Sequence, residues 1–65
     1  MTDDEENSAI ALLRPLCNSV EEARTYLYSA VIPEFGGRTL AEVVERDGIG
    51  SVAEYVMHIE RGGFA

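Results

Sequence analysis

Residues 32–48 read IPEFGGRTLAEVVERDG, a loop with two adjacent glycines that runs straight into a helix start. Thr39-Leu40-Ala41-Glu42 has the spacing of a capping box, in which the threonine hydroxyl accepts from the backbone N–H three residues on and the glutamate reaches back to the threonine N–H. Leu40, Val43 and Val44 then fall on one helical face, and Asp47-Gly48 supplies a stop. Two more stretches have the same grammar. Ser19-Val20-Glu21-Glu22 precedes a stripe of Val20, Ala23, Leu27 and Val31, and Ser51-Val52-Ala53-Glu54 precedes Val52, Tyr55, Val56 and Ile59, closed by Gly62-Gly63. A first helix is expected from Asn7 or Ser8, carrying Ile10, Leu12, Leu13 and Leu16, with Pro15 ending or kinking it. No segment sustains a period of two, so no sheet is expected. The pattern predicts an all-α, compact four-helix domain over residues 8–65 with a Gly-Gly loop before the third helix, behind an acidic flexible leader of residues 1–7.

Sixty-five residues make one small domain. A chain of that size buries only about 60% of the surface that it exposes when unfolded. Cys17 is the sole cysteine; it excludes an internal disulfide, and the natural compartment for such a chain is the reducing cytoplasm. Cys17 itself reads as a small core hydrophobe. There is no basic segment followed by an apolar run, and no stretch long enough to span a bilayer. The net charge is −7, and the four carboxylates Asp3, Asp4, Glu5 and Glu6 account for more than half of it. That balance, without a basic stripe, argues against direct nucleic-acid binding.

The glycine pair invites a phosphate-cradle reading, since backbone N–H groups ahead of a helix N-terminus attract anions. The P-loop lysine and spacing are missing, as are the spaced glycines of a dinucleotide fingerprint. A turn is the simpler reading: Pro33 fixes the approach, Phe35 anchors in the core, and Gly36 and Gly37 take conformations unsuited to other residues. Arg38, at the unfavourable end of a helix dipole, is expected to be held by a carboxylate such as Glu34 or used on a partner. His58 is the only histidine and flanks the apolar stripe of the last helix, where a lone histidine reads as a boundary residue, and no carboxylates mark a cleft, so no catalytic residue, cofactor or metal site is assigned and an enzyme is not expected. Met57 falls opposite the apolar stripe of the last helix, and Tyr26 and Tyr28 flank that of the second. These three form a secondary candidate partner surface, or lie beneath a neighbouring layer. The tail, Arg61-Gly62-Gly63-Phe64-Ala65, either frays, folds back through Phe64 to close the core, or enters a pocket on another protein.

Taken together, IPEFGGRTLAEVVERDG and the closing IERGGFA resemble the toxin-binding domain of the Xre, MbcA and ParS antitoxins. The likeness rests on Pro33, Phe35, Gly36, Gly37, Arg38 and Thr39, and on Ile59, Glu60, Gly62, Phe64 and Ala65. Ser19 to Ala23 and Tyr26-Leu27 are similar to the family's second helix. Leu40 stands where that family usually has proline. The resemblance implies a bacterial type II antitoxin module whose protein partner is an NAD-using toxin, a RES-domain or related ADP-ribosyltransferase enzyme. Its C-terminal segment would cover the toxin's active site, making Arg61, Gly62, Gly63, Phe64 and Ala65 contact residues and Arg38 a further one. The family's helix-turn-helix has no counterpart here, so operator binding is not expected. Two alternatives stand beside it. The acidic charge suits an inhibitor of a nucleic-acid-binding complex, as phage anti-CRISPR proteins are, and Tyr26, Tyr28 and Met57 suit a self-associating scaffold that forms a homo-oligomer.

Overall fold

A computed structural model describes residues 1–61. The described residues form four α-helices, α1 (Asp3–Leu13), α2 (Val20–Ser29), α3 (Leu40–Asp47) and α4 (Gly50–Glu60). Helices of 8 to 11 residues are marginal alone, so packing must hold them. α1 packs on α2 and α4, while α3 packs on α4 and α2. Between them lies one core, in which Ala9, Leu13, Ala23, Leu27, Leu40 and Val52 are wholly removed from solvent. Ile10, Val44 and Val56 join it, with Leu12, Leu16, Cys17 and Ile59 at its margin. No helix among the described residues is long and apolar enough to cross a membrane.

The helix boundaries are where local chemistry put them, with instructive exceptions. α1 begins at Asp3, well before the expected start at Asn7 or Ser8, so residues 3–7, expected to precede the helix, lie within it. Thr2 is its cap: the Glu5 N–H donates to Thr2 Oγ1 at 3.1 Å, and the Thr2 N–H donates to Glu5 Oε1 at 2.9 Å. The four acidic residues occupy the first turn, where the helix dipole favours negative charge. Glu6 also accepts from the Tyr28 hydroxyl and pairs with Arg24 at 3.7 Å, and the Met1 amino group pairs with Glu45. Pro15 ends α1 as expected, in a 3-10 turn over Arg14–Leu16.

Ser19 caps α2 by accepting from the Glu22 N–H at 3.0 Å, although the Glu22 side chain does not reach back. Thr39 and Glu42 form the full reciprocal box on α3. Ser51 does not cap α4. That helix starts two residues earlier than a Ser51 cap would place it, because the Ile49 carbonyl already accepts from Val52 and Ala53 across a tight turn after Gly48. The α2 stripe is shorter than its spacing suggests: Val20 and Val31 lie at the ends and are exposed. Val31 belongs instead to a two-strand ribbon, β1 (Val31–Ile32) against β2 (Arg38–Thr39), antiparallel with Val31 opposite Thr39. Two residues per strand are too few to show a period in the sequence.

Candidate protein-docking surface

The ribbon brackets the Gly-Gly loop. From Ile32 the chain makes a 3-10 turn over Pro33–Phe35, with proline at its first position. Gly36 and Gly37 then reverse it at φ of 71° and 80°, a region that an L side chain enters only at a cost. Their N–H groups point inward: Gly36 donates to the Pro33 carbonyl at 3.0 Å and Gly37 to the Ile32 carbonyl at 3.1 Å. Both donors that a phosphate would need are therefore committed to the loop itself. Arg38 closes the reversal by donating from Nη1 to the Phe35 carbonyl at 3.2 Å. Glu34 does not hold it; no ion pair to Arg38 exists among the described residues.

The loop delivers Phe35 onto α4. Its ring packs against that of Tyr55, centroids 5.9 Å apart and planes tilted by 49°. Tyr55 is buried, and its hydroxyl shares a 2.6 Å hydrogen bond with the Tyr26 hydroxyl of α2. Burial, with that hydrogen bond, pushes the Tyr55 phenol well above the ordinary tyrosine range. Loop, α2 and α4 thus meet at three aromatic rings.

Two open grooves flank Phe35. The first, of about 330 Å³, lies between the loop and α4 and is lined by Glu34, Phe35, Ser51, Glu54, Tyr55 and His58. The second, of about 290 Å³, lies toward α3 and is lined by Glu34, Phe35, Arg38, Val43, Arg46 and Asp47. The expected partner residues fall unevenly around this surface. Arg38 lies in the second groove. Arg61 is exposed at the end of α4, its N–H bonded to the Met57 carbonyl at 3.0 Å. Gly62, Gly63, Phe64 and Ala65 lie outside the described residues.

Tyr26 is half-buried and engaged with Tyr55, so it acts as an internal brace more than as an outer contact. Tyr28 is exposed and leans on α1 through Glu6, which raises its phenol above the usual value, and its hydroxyl lies 4.0 Å from Met1 Sδ. Met57 is 46% exposed. Cys17 is half-buried, and burial raises its thiol above the ordinary 9.0. The groove residues Ser51, Glu54 and His58 were not singled out as a set. They stand at i, i+3 and i+7 of α4, one flank of a helix, but nothing in the sequence shows that a loop 16 or more residues away covers that flank.

Comparison of the chain with protein-family models, with curated proteins and with solved structures finds no match in any of the three.

Proposed function

We propose that this chain is a cytoplasmic antitoxin-like binding module that neutralises an NAD-using toxin enzyme by docking on it and covering its active site with the segment Arg61–Ala65. The observation that carries the reading is the junction of Phe35 with Tyr55. The two stretches on which the family resemblance rests, the Gly-Gly loop and the last helix with its tail, are far apart in the chain, yet loop and helix share one surface and line one groove. A loop whose geometry requires Gly36 and Gly37, followed by a fully capped α3, is a rigid presenting element, and rigid elements cost little ordering entropy on docking. Arg38 and Arg61 are exposed and without a carboxylate partner among the described residues, which leaves both for contacts with a partner.

The test is affinity capture from the native host's lysate with the full chain and with a chain lacking residues 61–65. The reading expects the full chain alone to retain an NAD-consuming enzyme. Retention by both forms of a nucleic-acid-binding complex, released by salt, would replace it with a charge-driven inhibitor. Self-association with no other partner would point to the scaffold reading.

A further inference from the structure

We infer that the groove between α4 and the Pro33–Phe35 turn receives an arginine side chain from a protein partner. Two aromatic residues line it, Phe35 packed against buried Tyr55. Its lining includes two carboxylate residues, Glu34 of the turn and Glu54 of α4, together with Ser51 and His58. Both glutamates are exposed, and neither has an ion-pair partner among the described residues. A guanidinium matches this combination better than other side chains. It is flat, weakly hydrated, stacks on an aromatic face and offers forked donors to carboxylates.

The neighbouring groove makes the choice directional. There two arginines, Arg38 and Arg46, line the groove beside Glu34 and Asp47, so the lining on the α3 side of Phe35 carries no excess of negative charge. The overall charge of −7 draws a basic surface in from a distance, and the acidic groove selects which side chain seats. This inference rests on the reading that this face docks a protein, and it names the chemistry of the contact. Its test needs no toxin.

The full chain, labelled with ¹⁵N, is titrated at low salt with the capped tripeptide acetyl-Gly-Arg-Gly-amide and, in parallel, with its uncharged norleucine counterpart. Saturable amide shifts are expected at Phe35, Gly36, Glu54, Tyr55 and His58 with the arginine peptide only, leaving Val43 to Asp47 unmoved. The doubly substituted chain Glu34→Gln/Glu54→Gln, both sites being exposed, keeps the dispersed spectrum of the fold and loses about tenfold or more in affinity. Shifts spread over the whole acidic surface, equal binding of the norleucine peptide, no saturation, or unchanged affinity in the double variant would each overturn the inference. Peptide failure alongside successful toxin capture removes the arginine pocket alone. Peptide binding without toxin capture removes the antitoxin reading alone.

Discussion

Gly36, Gly37 and Gly50 provide a matched test of what the glycines do, because the same substitution is expected to have opposite signs at different positions. Gly36 and Gly37 have φ of 71° and 80°. Replacing either with alanine forces an L residue into the left-handed region at about 1–2 kcal/mol. Crowding adds little. A Cβ on Gly36 would lie 3.4 Å from Arg38 Nη1, the end of a flexible side chain, and one on Gly37 would lie 4.0 Å from Val31 Cγ1. Gly50 opens α4 without a positive φ, and an added Cβ there meets nothing within 4 Å. Gly50→Ala is therefore expected to stabilise by about 0.4–1 kcal/mol through the unfolded chain's lost freedom.

For a domain this small, a urea m-value of about 1 kcal/mol/M converts these into midpoint shifts. The loop variants fall by about 1–2 M and Gly50→Ala rises by about 0.4–1 M. A total stability of about 3–5 kcal/mol leaves each single variant folded in water and measurable. Gly37→Asn should lose less than Gly37→Ala, since asparagine tolerates this region better. Loop variants as stable as the parent, or a loss at Gly50 equal to theirs, would refute the reasoning.

Other expectations follow from the core and the caps. Leu27→Ala empties a wholly buried site and costs about 2–5 kcal/mol; against about 3–5 kcal/mol in total, the variant should lose most of its far-ultraviolet helical signal at 25 °C. Tyr26→Phe and Tyr55→Phe should each cost about 1 kcal/mol, and the double variant less than their sum, because removing both hydroxyls leaves neither unpaired; a urea double-mutant cycle reads the coupling. At Glu42, the bond from the Thr39 N–H at 2.9 Å holds the carboxyl below its ordinary 4.5. A depressed folded-state value stabilises above 4.5 and is lost as pH falls through the folded value. Glu42→Gln should therefore flatten the acid limb of an unfolding-versus-pH curve below 4.5; an acid limb unchanged from the parent's would count against this assignment.

Much of this architecture was written locally. Thr39 and Glu42 announced α3, Pro15 announced the end of α1, and Gly48 the end of α3, because caps and breakers act within one turn of chain. The misplaced start of α1 was legible too. Thr2-x-x-Glu5 is the same box used to place α3, but it lies in a run of acids that resembles a solvated leader, and the dipole reverses that reading by favouring acids in a first turn. Ser51 misled for the converse reason. Its box spacing was real, yet the two-residue connection from α3 gave the first N–H groups of α4 a carbonyl partner before the serine could serve.

The groove was not legible at all. That Phe35 lands on Tyr55, and that Tyr55 is braced by Tyr26, depends on how α2, α4 and the loop pack. No local spacing encodes that packing. Arg38 shows the same limit, since sequence proximity suggested a carboxylate and the fold supplies the Phe35 carbonyl.

The most direct measurement is the rate of NAD consumption by whatever enzyme the chain captures, titrated with the full chain and with a chain lacking residues 61–65, both checked for equal helicity. The account predicts stoichiometric inhibition by the full chain and little by the shortened one. Equal inhibition by both, or none by the full chain, would contradict it.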